Sequence, residues 1–146
     1  MSATNAFETS LLGLIITNAD AANVGDAAGL QNSAAAGVFW ISCAVGDPGE
    51  TGDQTTNETV YTNYARQDEA RDTTQWTVTN NTADNDNAIS FPTCGVTGAT
   101  LTHFGLGSAQ TTAGNLFLYG ALTASLIVSA GVTPSFAAGA LDITLD

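Results

Sequence analysis

Along the first sixteen residues the apolar positions recur every three or four residues; from residue 38 onward they recur every two. The early segment, Asn5 to Ile16, predicts a short helix. Asn5 is placed to cap it, and Glu8 three residues later completes a capping-box pattern. Phe7, Leu11, Leu14 and Ile15 form the expected apolar face, and Gly13 weakens the helix by about 1 kcal/mol relative to Ala. A loose stretch rich in Ala, Asn, Asp and Gly then runs over 17–37. In the first strong strand, 38–45, Phe39, Ile41, Cys43 and Val45 point one way and Trp40 the other. Further strands are expected at 61–71, 75–79 (Trp76 and Val78 inward), 88–91, 99–106, 115–121, 125–128 and 141–145. Asn80–Asn87 reads as a polar loop. The last strand is the clearest, with Leu141, Ile143 and Leu145 alternating with Asp142, Thr144 and Asp146.

Short strands separated by Gly, Asn and Thr turns, with no long helical pattern between them, predict an all-β fold. We expect an antiparallel β-sandwich or jelly-roll-like single domain with a short N-terminal helix or arm. The arm takes residues 1–37 and the sandwich 38–146. No heptad, collagen-like period or other internal repeat is visible.

Charge narrows the picture. Only 11% of the 146 residues are charged, against about 25% in ordinary soluble domains, and the net charge is −12. Lysine is absent, and the only cations are Arg66 and Arg71. Two cations are too few to neutralise a run of phosphates, so nucleic acid is excluded as a direct partner, and anionic membrane surfaces are disfavoured by the same argument. A surface of short neutral polar groups loses little side-chain entropy on ordering, which suits a protein made to pack against other proteins. The opening residues lack the basic region of a signal peptide, and the apolar run 116–132 is interrupted by Gly120, Thr123, Ser125 and Ser129, so it reads as strand rather than membrane span.

Candidate chemistry is sparse. His103 is the sole histidine, in a predicted strand with no nucleophile or orienting acid in view. Asp84-Asn85-Asp86-Asn87 has the oxygen-rich composition of a calcium loop, yet Ile89 stands where the EF-hand glycine belongs and Gly95 where its glutamate belongs. Cys43 and Cys94 do not have metal-site spacing; one disulfide between them is open. The sequence therefore predicts no catalytic residue, no cofactor and no metal. Arg66 and Arg71 lie among seven acids, Asp47, Glu50, Asp53, Glu58, Asp68, Glu69 and Asp72. Each is read either as the partner of neighbouring acids or as an interface anchor, the role in which arginine is enriched. Their odd separation would put them on opposite faces of a regular strand, serving different purposes. Phe7, Leu11, Arg66 and Arg71 are the candidate assembly contacts.

Five stretches, taken in order, resemble a family of small tailed-bacteriophage virion proteins known as tail fibre proteins: NAFETSLLGLII (5–16), DPGETGDQTTNETVYTNYAR (47–66), ISFP (89–92), LTHFGLG (101–107) and LYGALTASLIVSAGVTPSFAAGAL (118–141). Where the family is expected to prefer Thr-Gly-Tyr-Ala-Arg, this chain has Thr62-Asn63-Tyr64-Ala65-Arg66. The resemblance implies a structural, non-enzymatic place in the virion, with synthesis in the bacterial host cytoplasm. Because no fibre shaft is visible in the sequence, the expected role is a capsid-decorating (cement) protein, trimeric, whose arm and one β edge contact the major capsid protein. The alternatives are a tail fibre or tail-tip component, or a small glycan- or receptor-binding module using exposed Trp40, Trp76, Tyr61 or Tyr64.

Overall fold

The computed structural model describes residues 3–145. Within them one helix, α1 (Asn5–Ile16), precedes nine strands: β1 (Val38–Ala44), β2 (Gln67–Ala70), β3 (Trp76–Thr79), β4 (Thr82–Asn85), β5 (Ile89–Ser90), β6 (Ala99–Gly107), β7 (Leu116–Val128), β8 (Ser135–Phe136) and β9 (Asp142–Thr144). The ladders with an assigned register are antiparallel, so the all-β expectation holds. The chain gathers into two compact units: Met1–Gly37 with Ala70–Ala88 and Phe136–Asp146, and Val38–Glu69 with Ile89–Ser135.

The first unit packs α1 on β3 and β4 of a three-stranded sheet ordered β3-β4-β9. Its buried apolar side chains include Leu12, Ile16, Ala21, Trp76, Ala83, Leu141 and Ile143. Two expectations for the helix need correction. Thr4, not Asn5, is the N-cap, without a side-chain capping bond, and the buried stripe is Glu8, Leu12 and Ile16. Phe7 and Ile15 face outward, at 47% and 37% exposure, and Leu11 is half-buried. Apolar residues occur nearly all round this helix, so spacing alone could not select which i, i+4 row meets the sheet.

A second correction concerns Asn80–Asn87. The stretch holds β4, joined to β3 by the two-residue loop Asn80-Asn81, with Thr79 opposite Thr82 and Asn80 at φ 55°. Asparagine tolerates this left-handed conformation, which a tight hairpin demands. Ala83 of β4 sits opposite Ile143 of β9, and Asp84 opposite Asp142.

The second unit is built on a four-stranded sheet ordered β2-β1-β6-β7. β1 lies inside the sheet, and Phe39, Ile41, Cys43 and Ala44 are buried; Val45, expected inward, lies beyond the strand and is 46% exposed. The strand expected at 61–71 shrinks to 67–70, with the two arginines flanking it rather than on its opposite faces. The expected strands at 115–121 and 125–128 are one strand, β7, whose pairing with β6 jumps from His103–Ala121 to Leu101–Leu126. The four β7 residues 122–125 thus face a single residue of β6, a wide irregularity lying where the sequence pattern lapses. β8, which alternation did not reveal, pairs with β5. Near that ladder, Phe91 N–H donates to Pro134 O and Cys94 N–H to Val132 O.

Candidate functional site

The structure places Arg66 and Arg71 in two separate clamps, one in each unit. Arg66 belongs to the second unit and is 5% exposed. Its Nε donates to Glu58 Oε1 at 2.6 Å and its Nη2 to Glu58 Oε2 at 2.7 Å, a two-pronged pair. The remaining guanidinium hydrogens go to backbone carbonyls: Nη2 to Gln54 O at 3.0 Å, and Nη1 to Ala109 O and Thr112 O at 2.6 and 2.8 Å. All five N–H groups are used, which is the complement arginine carries. Hydrogen bonding to the Glu58 carboxylate, outweighing burial, raises Arg66 above its ordinary value.

The clamp continues on both sides. The Tyr64 hydroxyl donates to Glu58 Oε1 at 2.9 Å and accepts from the Cys43 backbone N–H at 3.0 Å, so β1 is wired to the same carboxylate. Burial, with Glu58 beside it, lifts the Tyr64 phenol above its usual range and the Cys43 thiol to about 12. A thiol held protonated in this way is a small core group and not a nucleophile. Cys43 and Cys94 are both buried and free. Gln54, 2% exposed, ties the loop between β6 and β7: its Oε1 accepts from Ala109 N–H and its Nε2 donates to Trp40 O, while its backbone N–H donates to Ala113 O. A Cβ on Gly107 would stand 2.1 Å from the Gln54 side chain, so only glycine admits this arrangement. An open groove of about 250 Å3 lies over the clamp, lined by Glu58, Tyr64, Ala65, Arg66, Gln110 and Thr111.

Arg71, in the first unit, is half-exposed and works on a helix end. The last turn of α1 contains no basic residue of its own. Arg71 Nη2 donates to Leu14 O at 2.8 Å, Nε to Ile15 O at 2.7 Å, and Nη1 to Ala36 O at 3.0 Å. Gly13 O meanwhile accepts from the backbone of Thr17 and Ala19. Carbonyls that no intrahelical N–H can reach are therefore met by a cation 57 residues away in sequence, at the negative end of the helix dipole.

A third polar centre lies in the stretch that the sequence presents as a polar loop of calcium-loop composition. Asn85 is 2% exposed. Its amide donates to Asn87 O and Ala137 O, its Oδ1 accepts from the N–H groups of Ala140 and Leu141, and its own carbonyl accepts from Gly139 N–H. Asn85 thus anchors the segment leading into β9. Next to it, the Asp84 carboxyl is raised by its hydrogen bond with Asp142, then by burial and by the charges of Asp142 and Asp86.

Of the aromatic side chains proposed for sugar contact, Trp76 and Tyr61 are buried at 1% and 2% exposure, while Trp40 and Tyr64 are half-buried. His103 lies on β6, its Nδ1 2.9 Å from the Thr102 hydroxyl. No helix among the described residues is long and apolar enough to cross a membrane.

A model of the family described as podophage GP4 fiber I protein gp80 matches residues 15–144. The chain belongs to this family. No curated protein matches it. The match to the GP4 fiber I family spans both clamps and Asn85, and it begins after most of α1, so Phe7 and Leu11 lie outside it. Membership makes the chain a phage structural protein and a virion component of the fibre type.

Proposed function

We propose that this protein is a non-enzymatic component of a podophage tail fibre, made in the host cytoplasm and held in the virion by contacts with other virion proteins. The observation that carries this reading is the fibre-family match over residues 15–144. The geometry agrees with it in one respect. The buried Arg66 is committed to ordering the chain's own backbone, and Arg71 donates to three backbone carbonyls, which suits a rigid building block.

Capsid decoration, favoured by composition and the absence of a shaft pattern, ranks second because the matching family is a fibre protein. Phe7 of the helix, at 47% exposure, is the residue among the candidate contacts best placed to meet another virion protein. Arg66 is the least available, since every donor it has is engaged within the chain. Quantitative mass spectrometry of purified particles separates the two locations. About three to a dozen copies per particle is the expected result for a closed fibre assembly. Hundreds of copies would overturn it in favour of a capsid lattice.

A further inference from the structure

We propose that β7 is the surface through which two copies of this chain associate, edge to edge and antiparallel. The inference does not rest on the fibre reading. β7 is the outermost strand of the four-stranded sheet and, at 13 residues, the longest element among those described. Its sequence, LFLYGALTASLIV, contains no charged residue, and Phe117 and Ile127 are 51% and 72% exposed. The opposite edge of the same sheet is β2, QDEA, which presents Asp68 and Glu69 within four residues. Charges on an edge strand are a common guard against unwanted pairing. One edge of this sheet has that guard and the other lacks it.

The charge distribution selects a second copy as the occupant. Each chain carries a net charge of −12, so two copies repel over most approaches. The stretch 87–141 contains no Asp, Glu, Lys or Arg, and β7 lies inside it. Pairing through β7 brings the neutral edges together and leaves the acidic β2 edges at the two far ends of a joined sheet. An antiparallel edge is also self-complementary, so the contact closes on a two-fold axis and leaves no open β7 to propagate. Irregularities at Phe117 and at 122–125 leave two regular stretches, 118–121 and 126–128, and the longer one, 118–121, is the segment that pairs with the second copy. Two acids come near this strand, Glu50 through its 3.0 Å bond from the Tyr119 hydroxyl and Asp47 beside it. They add repulsion that salt screens.

Sedimentation equilibrium of the full chain tests the proposal. The expected result is a dimer that tightens as salt rises. Ala121→Glu, at an exposed position within the paired segment, should weaken it at least about tenfold, or about 1.4 kcal/mol. Val60→Glu, at an 87% exposed position outside β7, should leave it unchanged. A monomer at every concentration and salt, a trimer, or equal weakening by both variants overturns the proposal. Should Ala121→Glu fail to fold, amide hydrogen exchange on the unaltered protein decides. Protection of 118–121 that grows with protein concentration supports the β7 contact, and protection independent of concentration refutes it.

Discussion

Arg66 and Arg71 lie five residues apart and are the chain's only cations, yet they solve different problems. Arg66 is buried, so its charge needs a counter-charge, and Glu58 supplies it with two oxygens. Around that pair are the loops that contain Gln54, Ala109 and Thr112, segments with little regular structure to hold them. Arg71 is only half-buried, and its guanidinium donates to the carbonyls of Leu14, Ile15 and Ala36, two of them at the end of α1. A helix terminus carries only a partial negative charge, which a partly solvated cation can meet without full desolvation. The difference teaches that burial, more than residue type, sets how much an arginine matters.

Replacing one partner of the Arg66–Glu58 pair should therefore have the largest effect. Arg66→Ala leaves a carboxylate with 16% side-chain exposure and no cation, and should cost about 3–5 kcal/mol in urea unfolding. The accompanying sign is faster hydrogen exchange in the 108–115 loop, with α1 unaffected. A loss below about 1 kcal/mol would mean that the pair behaves like an exposed one.

Asn85→Ala comes next. It removes four hydrogen bonds from a buried amide, and orphaned partners cost about 1–3 kcal/mol each when water cannot reach them. A total of about 2–4 kcal/mol is expected, read by thermal or urea unfolding, together with loss of protection in β9. Arg71→Ala should cost less, about 1–2 kcal/mol, and its effect should appear as fraying of the last turn of α1 by hydrogen exchange. Equal losses for Arg66→Ala and Arg71→Ala would erase the distinction between the two clamps.

The Asp84–Asp142 pair gives a smaller, pH-dependent effect. The Asp84 carboxyl is raised in the folded protein, so folding binds its proton more tightly. The associated stability is fully present below the ordinary carboxylate value and is lost as pH rises through the raised one. Asp142→Asn removes a like charge placed directly across the strands and should stabilise the protein at pH 7 by about 0.2–1 kcal/mol. The gain should shrink as pH falls through the raised Asp84 value and be absent below the ordinary carboxylate range. A gain independent of pH would exclude the charge explanation. Smallest of all is Asn63→Gly. Asn63 has φ 78°, the conformation for which glycine is the default, and its Nδ2 donates a long 3.3 Å bond to Thr93 O. These oppose each other, and a change within about 0.5 kcal/mol is expected in unfolding experiments.

Strict alternation made β1 and β9 legible, because each buries one row of apolar side chains against a neighbour. β4 was hidden because its four residues, Thr-Ala-Asp-Asn, bury an alanine and an amide rather than large apolar groups. Asn85 was misread for the same reason: a polar side chain satisfied by backbone looks in sequence like one satisfied by water. The wide irregularity in β7 broke the alternation at 122–125 and split one strand into two. The concentration of charge around Arg66 was visible, but which acid pairs with it depends on the turn that brings Glu58 beside β1. Asn63, where the resemblance led us to expect glycine, has a left-handed backbone at φ 78°, a conformation asparagine also tolerates.

Asn85 and β9 also set the order in which the protein can finish folding. The first unit draws on three separated stretches, and β9 belongs to the last of them. During synthesis every residue of the second unit emerges before β9 does, so its clamp can close while the first unit still lacks a strand. Until residues 137–144 arrive, Asn85 has no carbonyl or N–H from that stretch to bind, and β4 has one neighbour instead of two. The helix-bearing unit is therefore the last to become rigid on a growing chain, and a ribosome stalled before residue 137 would display it open.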